Sequence, residues 1–337
     1  MGLLTTSTDI PPPVREFYAR RQLKRALPYL QHGRMAVRFP LKQRQGDIIV
    51  MRRLEKLTTA PAPLNEGVPP QGKKPTKTDI SQPIQQHGDF IQTTDFGKAV
   101  LAHPVLSDYA KLLGEQAGQT LDELMRDEAA AGTEVQYGGT AAARIDLLGT
   151  AHKVTTALLD RIIRALEQSD ASMFTEMISA TVKVSTFGIR PAYFAIISPA
   201  IKFTLEGLSG YKSVEEYGST GPVLPGEVGA YKNLRFLMST KAKKFPNEGG
   251  VASGDVLTTD LTNADVHTLL CFGEEGLGSI PLDGMSLQNI IKPLGSAGAA
   301  DPLNQVCTTG WKSTGARKRL NELFILRGEV TVGLNAP

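Results

Sequence analysis

Apolar side chains recur at three- and four-residue steps from Leu106 to about Ala131: Leu106, Ala110, Leu113, Ala117, Leu121 and Leu124. That spacing draws one stripe down an α-helix. Lys111, Glu115, Asp122 and Arg126 fall off the stripe, the last two as an i,i+4 pair, and Gly132 stops the helix. At 1.5 Å per residue the predicted helix is about 39 Å long, beyond the usual globular length. Gly114 and Gly118 inside it cost about 1 kcal/mol each against Ala. Either another backbone comes close there or the helix tolerates them. Val154, Leu158, Ile162 and Leu166 predict a second helix over 151–168, with Thr150 as its N-cap. Residues 192–197 form a fully apolar strand. Ser198-Pro199 then signals a helix start, and that helix carries Ile201, Phe203 and Leu205 as far as Gly207. Further strands are predicted over 234–239, 267–272, 287–292 and 322–330. A long helix set apart from strand-helix-strand spacing predicts an α+β fold. No internal repeat of fixed period is present.

The first third has a different pattern. Residues 1–13 end in Pro11-Pro12-Pro13 and read as an extended lead-in. Val14 to Gln31 is a basic helix candidate with Phe17, Leu23, Leu27 and Leu30 on a loose stripe and Pro28 interrupting it. It is either an arm lying on another subunit or a plain surface helix. Strands are predicted over 48–57 and 79–92, the second with Ile80, Gln82, Ile84 and Gln86 on one face. Between them runs a stretch with Pro61, Pro63, Pro69, Pro70 and Pro75 and the lysines Lys73, Lys74 and Lys77. Proline favours an extended path there, and an isolated two-stranded ribbon is marginal in water. The pattern therefore predicts a ribbon that needs another surface to lie on.

Composition narrows the class. The 337 residues are 41% apolar and 21% charged, ordinary for a folded chain. No apolar run approaches the ~20 residues of a membrane span, and Met1 to Ile10 lacks the layout of a signal peptide, so a cytoplasmic protein is expected. The net charge of +3 is uneven. Residues 1–60 hold 12 Lys/Arg and 4 Asp/Glu (+8), and the rest hold 25 and 30 (−5). A basic head on a mildly acidic body suits a polyanion or an acidic partner. Cys271 and Cys307 have no CxxC spacing and no nearby His, which favours buried free thiols over a disulfide or half a metal site.

Catalytic signatures are missing. Gly310-Trp311-Lys312-Ser313 lacks the glycines of a phosphate loop, and Gly273-Glu274-Glu275-Gly276-Leu277-Gly278 fails dinucleotide spacing. There is no Gly-x-Ser-x-Gly elbow. His32, His87, His103, His152 and His267 never pair at metal-ligand spacing. Glu215-Glu216 and Glu274-Glu275 are adjacent and do not face each other on a helix. No enzyme, metal or cofactor is expected. Arg20, Arg21, Lys24 and Arg25 could touch phosphates, but few aromatics interleave to stack on bases.

Long ordered stretches carry a resemblance. They run Leu113-Gly114-Glu115-Gln116-Ala117-Gly118 through Thr120-Leu121-Asp122 to Arg126-Asp127, then Thr133-Glu134-Val135-Gln136-Tyr137-Gly138. Gly226-Glu227-Val228-Gly229 leads to Arg235-Phe236. Ile290 to Gly298, Asp301 to Gln305 and Gly310-Trp311-Lys312 follow. Together they resemble the major capsid family typified by coliphage N-four over about 20–330, with 169–190 unmatched. The resemblance implies the tailed-phage capsid fold of the Hong Kong ninety-seven type. Its parts would be an N-terminal arm (1–40), an E-loop β-ribbon (41–95), a peripheral domain (96–149) with spine helix 106–131, an axial domain (150–290) and returning peripheral strands (291–337).

The implied function is self-assembly into an icosahedral shell around packaged double-stranded DNA. The implied partners are copies of the chain in hexamers and pentamers, a scaffolding protein, a portal and decoration proteins, and the location is the virion after assembly in the host cytoplasm. Intersubunit candidates are Arg20, Arg21, Lys24, Arg25, Arg52, Arg53, Pro69, Pro70, Lys73, Lys74, Lys77 and Trp311. Some relatives crosslink a ribbon lysine to an asparagine; Lys73, Lys74 and Lys77 are in the right region, but no Asn or Glu partner is assigned. The competing readings are an encapsulin-like nanocompartment shell, a nucleic-acid-binding protein using the basic head, and an enzyme without a readable motif.

Overall fold

The apolar stripe forms helix α1, Val105–Ala130, in the computed structural model. The structure describes residues 31–44, 46–57, 67, 72–95, 105–174, 191–216, 224–296 and 301–333, with α1 side chains from Tyr109 onward. The buried line of α1 runs through Ala110, Leu113, Ala117, Met125 and Ala129, with Gly114 and Gly118 also buried. Asp122 departs from expectation. It is buried and faces His32, whose backbone N–H and ring Nδ1 each lie 2.8 Å from its carboxylate. Arg126 turns instead to Asp127 and to the carbonyl of Lys241.

Two sheets flank α1. The first has five strands: β1 (Ala36–Arg38), β4 (Gln85–Thr94), β12 (Leu277–Pro281), β13 (Gln288–Lys292) and β14 (Val306–Arg319). β14 is its axis, with β4 antiparallel along one side and β13 and β12 end to end along the other; β1 adds in parallel to β12. The second has eight strands: β5 (Val135–Tyr137), β6 (Tyr193–Ile197), β7 (Tyr211–Ser213), β8 (Glu227–Tyr231), β9 (Leu234–Met238), β10 (Lys244–Phe245), β11 (Val266–Phe272) and β15 (Ile325–Val330). Its order is β5-β15-β11-β6-β9-β8-β7, with β10 on the end of β11. A separate ribbon pairs β2 (Ile48–Leu54) with β3 (Lys77–Pro83).

Helices α2 (Thr156–Gln168) and α3 (Pro199–Glu206) cover one face of the second sheet. The C-terminal end of α1 covers the other. This explains why β6 and β11 are buried at every position. Tyr193, Ala195, Ile197, Leu269 and Cys271 point into the core with α2 and α3. Phe194, Ile196, Leu270 and Phe272 point into the core with Met125, Ala129 and Met35. Strands buried on both faces read as continuous apolar runs. α1 thus ties the sheets together: its first half packs Leu113 and Ala117 on Trp311 of the five-stranded sheet, and its end packs on the eight-stranded one.

Several boundaries shift. α2 starts at Thr156 because Thr155 is its N-cap, its hydroxyl accepting from the N–H of Leu158. Thr150 opens a short 3-10 turn instead. Ser198 precedes α3 as expected, but its hydroxyl lies 3.0 Å from His267 Nδ1 rather than capping the helix. The single strand expected over 79–92 is two, parted at Ile84. The expected division at 290/291 does not separate the sheets: β12 belongs with the first and β15 with the second.

Candidate intersubunit surfaces

Alternation gives the ribbon two unlike faces. Ile49 and Met51 of β2, with Ile84, pack inward on Leu41, Ile280 and Ala316 of the same chain. Ile48, Val50 and Leu54 point the other way and are 54%, 57% and 67% exposed; Leu57 follows at 56%. Across the pair they stand opposite Pro83, Ser81 and Lys77. The outcome is an apolar stripe on the outside of a thin ribbon whose root is pinned to its own subunit.

The charged candidates on the ribbon divide by face. Arg52 is exposed and forms a two-point bridge with Asp79 across the strands, Nε to Oδ1 at 2.7 Å and Nη2 to Oδ2 at 3.2 Å. That bond holds the Asp79 carboxyl below its usual range. Lys77 is a looser partner of Asp79 at 3.8 Å. Arg53 turns inward, donating from Nη1 to the Leu320 carbonyl at 3.1 Å and from Nη2 to Glu55 at 2.9 Å. Thr78, then Arg53, hold the Glu55 carboxyl low. Lys56 bridges to Asp170 beyond the end of α2. Lys73 and Lys74 are exposed. Arg20, Arg21, Lys24, Arg25, Pro69 and Pro70 lie outside the described residues, as does the helix expected from Val14 to Gln31 except for Gln31 itself.

Trp311, expected at a contact between subunits, is instead a core residue. It is 4% exposed, packs on Leu113 and Ala117, and donates from Nε1 to Gln116 Oε1 at 3.2 Å. Gln116 also holds Asp89 of β4, lowering its carboxyl. On the opposite face of the same sheet Phe90 and Ile290 are exposed beside Lys292 and Lys312, around a hollow of about 700 Å³. A second exposed apolar patch gathers Ile145, Leu148, Val251 and Leu261, where 145–149 runs beside 249–253. The sequence reading missed both. Phe90 was readable from alternation with the inward Ile91; the second patch brings together segments about a hundred residues apart.

Among the described residues no group of three or more His, Cys, Asp or Glu could hold a metal ion. Cys271 and Cys307 are free and buried in different sheets, and burial pushes the Cys271 thiol up to about 12. No described helix is long and apolar enough to cross a membrane.

No family model and no curated protein matches the sequence. Solved structures do match. The capsid of Ralstonia phage GP4 superimposes with a TM-score of 0.62 at 14% identity, covering 90% of this chain and 88% of that one. The capsid asymmetric unit of cyanophage Pam1 gives 0.62 at 15% identity, with 92% and 93% covered. The capsid of cyanophage P-SCSP1u gives 0.55 at 14%, with 87% and 86% covered. Two sheets strapped by a long helix, with a pinned ribbon beside them, are therefore the α+β fold of tailed-phage major capsid proteins.

Proposed function

We propose that this chain is the shell subunit of a tailed phage: a major capsid protein, of the coliphage N-four type, that tiles with copies of itself around packaged double-stranded DNA. The carrying observation is that the fold correspondence spans about nine-tenths of this chain and of the GP4 and Pam1 capsid chains alike. The working form is hexamers and pentamers in a closed shell, built with a scaffolding protein and a portal, assembled in the host cytoplasm and ending in the virion. The protein works by association and not by catalysis.

The physical mechanism is a sum of modest contacts. Identical subunits meeting head-to-tail around an axis close into rings. The outward stripe of Ile48, Val50, Leu54 and Leu57 supplies apolar surface, each side chain contributing about 1–2 kcal/mol when its still-exposed part is buried. A standard interface buries about 800 Å² per partner, and several such contacts per subunit hold the shell through their combined effect.

Size-exclusion chromatography and electron microscopy of the purified protein, alone and with its scaffold, test this reading. Megadalton particles are expected. A species that stays monomeric at high concentration with scaffold present overturns it. An enzyme rather than DNA inside native particles indicates a nanocompartment. Removing residues 60–76 is expected to leave a folded subunit that cannot complete shells.

A further inference from the structure

A cavity of about 420 Å³ lies between α1, the segment from Gly33 to Arg38, and strands β12 and β14. Three arginines line it, Arg34 and Arg38 from that segment and Arg317 from β14. Ser279 and Ser313 add hydroxyls, Leu121 of α1 forms part of the wall, and no Asp or Glu lines it.

The sheet register sets the charges side by side. Arg38 of β1 stands opposite Ser279 of β12, and Ser279 stands opposite Arg317 of β14. Register partners share a face, so two guanidinium stems flank one serine, roughly 10 Å apart across two strand spacings. Alternation places Arg317 on the same face as Trp311, the face toward α1.

Among the described residues none of the three arginines forms an ion pair. Burial holds the Arg317 guanidinium below its ordinary value with no carboxylate to offset it. The nearby Asp122 is occupied by His32, and Glu128 by Arg319 and Lys318. Cations facing one cavity repel one another, and Arg317 also loses hydration. Arginine forks bind tetrahedral oxyanions at two points, which removes both costs.

We propose that this cavity binds a phosphate-class oxyanion, held by Arg38 and Arg317 across Ser279 and closed over by Arg34. The phosphate comes either free from solution or from a nucleic-acid backbone.

Thermal unfolding of the intact protein tests the site in sodium chloride, sodium phosphate and sodium tripolyphosphate at matched ionic strength. The two phosphates are expected to raise Tm by about 2–4 °C over chloride in a saturable way. Arg317→Gln and, separately, Arg38→Gln are expected to lose most of that shift. If Arg317→Gln does not fold, Arg38→Gln, on an exposed edge position, decides. A short duplex DNA that competes with tripolyphosphate assigns the source to nucleic acid. A shift indifferent to duplex assigns it to the free ion, and both keep the site. Equal shifts in chloride, or full shifts retained in the folded variants, overturn it.

Discussion

Glu329 is wholly buried and is held by three cationic contacts. Arg144 grips it at two points, 2.8 Å each, and Arg327 lies 2.7 Å away. Both guanidiniums lie against the Phe245 ring, Arg144 at 3.6 Å, and Arg144 also reaches Glu248 while Arg327 donates to the Ala130 carbonyl at the end of α1. The cluster locks the helix end to the second sheet. Arg144→Ala takes away two of those three contacts but leaves Arg327 beside the buried carboxylate, so it is expected to cost about 1.5–3 kcal/mol, read as a lower denaturant midpoint with unchanged slope. His267 offers a pH test. Burial holds its imidazole below the ordinary value, helped by Lys244 and opposed by Asp265. The unfolded chain therefore takes up the proton first as pH falls. Stability from the neutral ring is full above about pH 6.5 and is lost as pH drops through the folded value. Tm measured across that range should fall on acidification, and His267→Gln should flatten the fall. Neither cluster was legible beforehand, because Arg144, Phe245 and Glu329 gain meaning only when the fold brings them within a few ångströms.

At the scale of elements, the ribbon was readable and the strand that anchors the first sheet was not. Ile48, Val50 and Leu54 alternate with Ile49 and Met51, and that period-two pattern is present in the sequence. The break at Ile84 follows from partner exchange: β3 pairs with β2, while β4 pairs with β14. Pro83, with no N–H to donate, ends the first of these runs. β14, the longest strand at 14 residues, escaped because Thr308, Thr309, Gly310, Lys312, Ser313, Thr314 and Gly315 show neither alternation nor an apolar run. Its burial is imposed by α1 on one face and by strands on both edges. The stripe makes a direct prediction. Val50→Asp with Leu54→Asp touches only exposed positions, so the subunit's own stability should change by less than about 0.5 kcal/mol per site. Shell yield should collapse, as counted by electron microscopy beside an unchanged circular-dichroism melt. Normal shells from this variant would remove the stripe from the interface.

For the molecule as a whole, the strongest local signals were correct to within a few residues. α1 runs from Val105 to Ala130 against an expected 106–131, and α3 begins at Pro199 and stops before Gly207. Sheet membership could not be obtained in this way. β12 and β15 are only 43 residues apart between Pro281 and Ile325, yet they lie in different sheets, and β14 leads from one sheet toward the other. Amphipathic period and turn chemistry act over one or two turns of chain, so residue order alone determined where helices and the ribbon form and which faces are apolar. Strand partners, the burial of Asp122 and Trp311, and the convergence of Arg38 with Arg317 were decided by the tertiary structure. Those outcomes depend on which distant segments exclude water from one another, and that competition is settled only when the whole core closes.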